Sequence, residues 1–140
     1  VGRIGVVRVH QGTITPDTAA TLTAIMEGVV ERGTGRTAQI EGYTIAGKTG
    51  TAAKLVDGVY SKQKYNASFV GFFPSRKPRY AIIVVIDSPS TGPYYGGLVA
   101  APVFKKIGEA VVALDGVPRS IGAPETVMVA RKVASSFSIS

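Results

Sequence analysis

The sequence predicts an α+β fold, an antiparallel sheet with helices packed on it. Three observations carry this. Two β-prone runs, Ala67 to Phe73 and Tyr80 to Ile86, are separated only by Pro74-Ser75-Arg76-Lys77-Pro78, a short polar connection that favours antiparallel pairing. Ahead of them, Ala19, Leu22, Ile25, Met26, Val29 and Val30 recur at helical spacing. Behind them, Val99, Val103, Ile107, Ala110, Val111 and Leu114 do the same.

The elements follow in chain order. Val1 to Val9 is rich in β-branched residues and reads as a short strand, weakened by Gly2 and Gly5. Gln11-Gly12-Thr13 turns the chain, and Thr15-Pro16 then supplies an N-cap followed by proline at the first helical position. Gly33 stands where a C′ glycine ends this helix. After the loop Gly33-Thr34-Gly35, a β-prone segment runs from Tyr43 to Ala52, and Asp57-Gly58 reads as a hairpin turn. Ser61 to Lys64 is a polar, basic stretch read as a turn. The run Tyr80 to Ile86 is apolar at every position after Tyr80, which predicts a central strand covered on both faces. Gly92 to Gly97 forms a loop, and one helix is expected from Leu98 to Leu114 with Pro102 in its first turn. Beyond it, Thr126 to Ala130 is a possible strand before a serine-rich tail.

Composition excludes much chemistry. The 140 residues contain no cysteine and a single histidine, His10, so disulfides, thiolate metal sites and cysteine nucleophiles are absent, and a Ser–His–Asp triad is disfavoured. His10 reads as a surface or strand-end residue. With 45% apolar and 18% charged residues the chain suits a packed globule. Its longest apolar run, Ala81 to Ile86, falls far short of a bilayer span. No signal peptide and no initiator methionine are present, which leads us to expect a processed protein or a segment of a longer one. The net charge of +7 concentrates between Lys48 and Arg79, where seven positive residues meet one acidic residue, Asp57. That stretch reads as a solvated basic face, since no nucleic-acid motif accompanies it.

One lysine belongs to two motifs. Gly42-Tyr43-Thr44-Ile45-Ala46-Gly47-Lys48-Thr49 satisfies the phosphate-cradling G-x-x-x-x-G-K-[ST] pattern, and Ile82 to Asp87 resembles the apolar strand that ends in a magnesium-holding acid. Physical context opposes nucleotide binding. The preceding Arg36 to Glu41 is no buried strand, Gly50 sits where a phosphate-facing helix must begin, and Tyr-Thr-Ile-Ala is strand material. Lys48-Thr49-Gly50 equally spells K-T-G, which accompanies S-x-x-K and an S-x-N element in serine acyl transferases that work without histidine.

The surroundings decide between them. Val29-Val30 with Gly33-Thr34-Gly35, Gly42 to Ala52, Ser68 to Phe72 with Pro74, Tyr80 to Asp87 with Pro89, and Tyr94-Tyr95-Gly96-Gly97 with Ala100 to Phe104 occur in one order. In these stretches the chain resembles the C-terminal part of the transpeptidase domain of class B penicillin-binding proteins, over roughly Pro16 to Leu114. The resemblance implies the penicillin-binding protein and serine β-lactamase-like fold, present in part, with residues 1–116 belonging to that domain and 117–140 forming an extension. It implies a D,D-transpeptidase that acylates a serine with a D-Ala-D-Ala stem peptide, and β-lactams as covalent inhibitors of the parent enzyme. It implies that Lys48 projects from an edge strand into the cleft, and that the Thr49 and Thr51 hydroxyls bind the substrate carboxylate. Gly50 would let substrate backbone lie alongside, and the Thr51 N–H would donate to the oxyanion, a donor worth about 100- to 1,000-fold in rate. Catalytic roles thus fall to Lys48 and Thr51, and substrate binding to Thr49, Gly50 and Thr51. No metal, cofactor or nucleic acid is implied. The parent would sit outside the cytoplasm on an N-terminal membrane helix, among divisome or elongasome membrane proteins.

Two of the three motif walls are missing here. Ser61-Lys62-Gln63-Lys64 spells S-x-x-K, but downstream of K-T-G and in a polar stretch, and ten serines with eight lysines produce such a match readily by chance. S-x-N is absent, the single asparagine being Asn66 with Lys64 in the serine's place. The expectation is a catalytically incomplete part of a transpeptidase. A related β-lactamase or D,D-carboxypeptidase, with water as acceptor, and a non-catalytic interaction fragment are the alternatives. By the same resemblance the sheet lacks strands supplied from upstream, leaving an exposed edge and apolar surface. Phe69, Phe72, Phe73 and Phe104 are expected in the core. Tyr94-Tyr95-Gly96-Gly97 either borders the cleft or simply leads into the helix.

Overall fold

The structure, a computed structural model, describes residues 12–90 and 94–121. The expected strands Val1 to Val9 and Thr126 to Ala130, and His10, lie outside them. Helix α1 spans Pro16–Glu31, a single helical turn covers Arg36–Ala38, and β1 (Ala46–Val56), β2 (Val59–Phe73) and β3 (Tyr80–Asp87) follow. Helices α2 (Gly96–Val99) and α3 (Ala101–Asp115) complete the order. The sheet runs β1-β2-β3 with both pairings antiparallel, as the short connections require.

Helix α1 begins as its sequence dictates. Thr15 accepts a hydrogen bond from Thr18 N–H at 3.2 Å, and Pro16 fills the first turn, where a missing N–H costs nothing. Its end differs in detail from expectation. Gly33 N–H closes on Val29 O at 3.1 Å, and Gly33 is not left-handed. Its lack of a side chain serves close approach, because a Cβ there would stand 2.9 Å from Val29 O. The Asp57-Gly58 hairpin is as predicted, with φ of 50° and 81°, the two left-handed residues a type I′ turn demands.

Strand boundaries shift where pairing overrides local propensity. β1 starts at Ala46 rather than Tyr43 and runs on to Val56. β2 absorbs the polar stretch Ser61 to Lys64, which sequence placed in a turn. The ladder pairs Ala53 with Tyr65 and then Leu55 with Tyr60, so residues 61–64 bulge opposite Lys54. Ser61 Oγ holds the bulge by accepting from Gln63 N–H at 3.1 Å and Lys64 N–H at 3.0 Å. The predicted single helix from Leu98 is two, broken at Ala100, with Pro102 in the first turn of α3.

The core is aromatic. Ala67, Phe69, Gly71 and Phe73 alternate onto one buried face of β2. Phe104 of α3 meets Phe69 edge-on at 4.9 Å between centroids and Phe73 at 5.9 Å. All three phenylalanines are fully buried, with Val30, Ile40, Ile45 and Val84 around them, whereas Phe72 on the other face is half-buried. Such rings each carry about 3–5 kcal/mol against truncation to alanine. The expectation of a central, doubly covered β3 is corrected. β3 lies at the sheet edge among the described residues, and Ile83 and Val85 stay 69% and 57% exposed. Its second apolar face therefore has no covering element there, and neither have Leu22 and Ile25 on α1.

One buried charge joins the layers. The Glu27 carboxylate on α1 accepts from Ser75 Oγ and, in a two-pronged pair, from Arg76 Nε at 2.7 Å and from Arg76 Nη2. These partners sit in the β2–β3 turn, so α1 is fastened to the sheet. The Arg76 hydrogen bond holds the Glu27 carboxyl below its ordinary 4.5, against the opposing effect of burial. A depressed carboxyl pKa stabilises above the unfolded value, and the contribution fades as pH falls through the folded one. Replacing Glu27 by Gln in the parent domain is expected to cost about 1–3 kcal/mol at neutral pH. In denaturant titrations the gap between parent and variant should close as pH drops below 4.5. A gap unchanged with pH would show that the charge contributes nothing.

Candidate functional site

The site grows from alternation along β1. Lys48 and Gly50 point to one face of the strand, and Thr49 and Thr51 to the other. No helix follows Lys48; the strand runs straight through Gly47-Lys48-Thr49, which removes the phosphate cradle. The acid of the nucleotide reading is also spent. Asp87 accepts from Lys54 Nζ at 2.6 Å and from Ser88 Oγ at 2.7 Å, and the Lys54 bond keeps its carboxyl below the ordinary value.

Thr49 and Thr51 open into a groove of about 410 Å³ lined by Gly33, Thr34, Arg36, Thr37, Tyr95, Gly96, Gly97 and Leu98. Lys48 starts on the opposite face, but its side chain curls round the strand. The ammonium donates to Thr49 O at 2.9 Å and lies 3.4 Å from Thr49 Oγ1. Alternation is thereby partly undone, and the charge sits beside the threonine hydroxyl. Gly50 does not contribute a surface to the groove. Its bare Cα faces Ser68 across the ladder, where a Cβ would crowd Ser68 Oγ.

Hydrogen-bond polarity sets what the hydroxyls can do. Thr51 Oγ1 accepts the Gly96 N–H at 3.2 Å, so its own proton is free to be donated to a ligand. Thr49 Oγ1 shares a 2.9 Å bond with Thr34 Oγ1 and neighbours the Lys48 ammonium. No acidic side chain lines the groove. Cation, free hydroxyl proton and absence of competing carboxylates describe a receptor for an anion. Sequence reasoning did not assign Thr34 or Thr37 to the site. Thr34 stands in the loop Gly33-Thr34-Gly35, and only the fold brings it against a residue fifteen positions away. Ser61 does not line this groove, and its oxygen is committed to two backbone N–H groups of its own strand.

The Tyr94-Tyr95-Gly96-Gly97 segment both leads into a helix and borders the groove. Tyr95 caps α2, while Tyr94 stacks on Tyr65 at 4.3 Å and leans on Tyr95 at 4.6 Å. The Tyr95 hydroxyl beside it raises the Tyr94 pKa. Gly96 and Gly97 are buried because nothing else fits. A Cβ on Gly96 would strike Ser68 O and Gly50 O, and one on Gly97 would strike Thr34 O.

Residues 5–109 match the penicillin binding protein transpeptidase domain. The chain belongs to that family. This transpeptidase chain is 43% identical over 95 residues to the probable peptidoglycan D,D-transpeptidase PenA of Neisseria flavescens, covering 67% of the chain and 24% of the relative. It is 42% identical over 94 residues to stage V sporulation protein D of Bacillus subtilis strain 168, covering 67% and 15%. Among solved structures, the apo transpeptidase domain of Burkholderia pseudomallei penicillin-binding protein 3 aligns with a TM-score of 0.69 and 40% identity, over 76% of this chain and 33% of that one. Penicillin-binding protein 3 of Mycobacterium tuberculosis in complex with ampicillin aligns with a TM-score of 0.69 and 31% identity, over 79% and 27%. The class B resemblance and the partial penicillin-binding protein fold therefore hold. The chain spans about a quarter or less of the length of these two curated relatives.

The groove's dependence on Gly96 is testable. Gly96→Ala in the parent domain is expected to cost about 1–3 kcal/mol of stability, because the added methyl meets two backbone carbonyls that cannot rotate away. An unchanged denaturation midpoint would show that α2 slides off the ladder without penalty.

Proposed function

We propose that this chain supplies the K-T-G wall of a serine-type peptidoglycan D,D-transpeptidase. The observation that carries the proposal is the Lys48 ammonium lodged beside Thr49, next to a Thr51 hydroxyl whose proton is free, along a groove without acids. In the proposed reaction, a serine of an S-x-x-K element elsewhere in the parent attacks the penultimate D-Ala carbonyl of a stem peptide. The bond to the terminal D-Ala breaks and D-alanine leaves, its amine taking up the proton. The amine of a second stem peptide then attacks the ester, forming the cross-link and returning the serine hydroxyl.

Each residue has a part in this. Thr49 and Thr51 donate to the terminal carboxylate, and Lys48 balances its charge and assists proton movement near the serine. The Thr51 N–H is one donor to the developing oxyanion. Gly50 offers bare backbone at the edge of β1 for the substrate backbone to lie alongside, while the side where a side chain would stand is turned to Ser68. β-Lactams occupy the same groove with their own carboxylate. The proposal includes an extracytoplasmic parent held by an N-terminal membrane helix, working with divisome or elongasome membrane proteins. It also divides the chain into a domain part, 1–116, and an extension, 117–140. The first residues of that extension fold back, Ser120 Oγ accepting from Thr44 N–H at 2.7 Å.

The rate of covalent labelling of the parent enzyme by a fluorescent penicillin tests the roles. Thr51→Val, which keeps shape and loses the proton, is expected to slow acylation about tenfold or more. Lys48→Ala is expected to slow it about 100- to 1,000-fold. The 140-residue chain alone should take no label. Full-rate labelling of both variants would overturn the assignment.

A further inference from the structure

The proposed reaction employs Lys48, Thr49 and Thr51 and leaves one cation of the groove without a task. Arg36 lines the same groove, and its guanidinium has no ion-pair partner among the described residues. The backbone that carries it is held in place from both sides. Thr34, two residues before it, is bonded to Thr49 on β1, and Thr37, the residue after it, donates to Gly97 O on α2. The helical turn Arg36–Ala38 that carries it is pinned further by Gly35 N–H to Val29 O at 3.0 Å and by the fully buried Ala38. A flexible arginine on a mobile loop would lose its ordering entropy on binding; here the backbone is already ordered.

The ion pairs among the described residues reinforce the contrast. Glu27, Glu31, Asp87 and Glu109 have basic partners, and none of them lines this groove. A planar fork of donors on an arginine that lines a pocket without acids selects a carboxylate over a neutral group. The terminal carboxylate is already matched to Thr49, Thr51 and Lys48 on the β1 side. We infer that Arg36 reads a second carboxylate on the same ligand, a side-chain carboxylate of the stem peptide upstream of the D-Ala-D-Ala terminus. This inference rests on the transpeptidase reading and deepens it. Arg36 would be a specificity residue, and the preferred stem peptide a diacid rather than one whose side-chain carboxylate is amidated or missing.

The test uses the full parent enzyme and two donor peptides identical except that this carboxylate is free in one and amidated in the other. The unaltered enzyme is expected to favour the free acid by about ten- to a hundredfold in kcat/KM, the range of a charge-assisted contact. Arg36→Ala should erase that preference while keeping the rate of penicillin labelling, because a penicillin carries only the one carboxylate matched to β1. Arg36→Lys should restore part of it. Labelling without any preference in the unaltered enzyme, or a preference that survives Arg36→Ala, overturns the inference and leaves the transpeptidase reading standing. Failure of the unaltered enzyme to take penicillin at all overturns both.

Discussion

The approach of Gly96 to the β1–β2 ladder governs the site. The first residue of α2 rests on the rung formed by Gly50 and Ser68, close enough that any side chain would collide with Ser68 O and Gly50 O. The same N–H that makes this contact possible donates to Thr51 Oγ1. One backbone group thus fixes the distance between helix and strand and decides which way the threonine proton points. Groove width follows, since the opposite wall, Thr34 and Thr37, is bonded to Thr49 and to Gly97. Loosening α2 would release both walls together.

That placement needs a rigid foundation, which the aromatic core provides. Phe104 sits one turn into α3, directly after the break at Ala100, and is wedged against Phe69 and Phe73 of β2. Because α2 leads into α3 through the fully buried Ala100 and Ala101, the helix that carries Gly96 is anchored through that wedge. A fixed period of two along β2 then couples core to site. Phe69 faces inward opposite Thr49, and Ser68 lies opposite Gly50. A slip of one residue would expose the phenylalanines and rotate the threonines out of the groove, so the energy that holds the core also holds the register of the site.

Much of this was legible in the sequence, and the exceptions have a common origin. Thr15-Pro16, Asp57-Gly58 and the β-prone run around Phe69 are local signals, decided within a few residues, and the structure follows them. The failures concern groups whose partners are distant in sequence. An all-apolar run such as Ile82 to Ile86 states that both faces suit burial, but not which neighbours are at hand, and among the described residues β3 lies at an edge. Nothing local in the sequence marks Glu27 for burial. It is buried because Ser75 and Arg76, nearly fifty residues on, supply its donors. Ser61 to Lys64 reads as a turn in isolation and is carried into β2 by pairing on both sides of the bulge. For the candidate site, K-T-G is legible as a short motif and through the family resemblance of the stretches around it. Thr34, Thr37 and Arg36 were not, since only tertiary packing sets them across the groove.

The distribution of exposed apolar surface bears on what kind of object this chain is. Leu22 and Ile25 on α1 and Ile83 and Val85 on β3 stand open, while the groove between β1, α2 and the Arg36 turn is tightly bonded. Exposed apolar patches of this kind mark surfaces that pack against other protein. The solved transpeptidase domain from Burkholderia pseudomallei is about three times the length this chain covers, which leaves ample protein for that role. The contrast separates two requirements of an acyl-transfer site. In the proposed reaction, bringing a nucleophile to the substrate falls to the remaining part of the domain. Orienting the groove's donors does not, because Thr51 and Thr37 take their direction from the backbone of Gly96 and Gly97, and Thr49 takes its from Thr34. The wall proposed to recognise the carboxylate is therefore preorganised by its own fold.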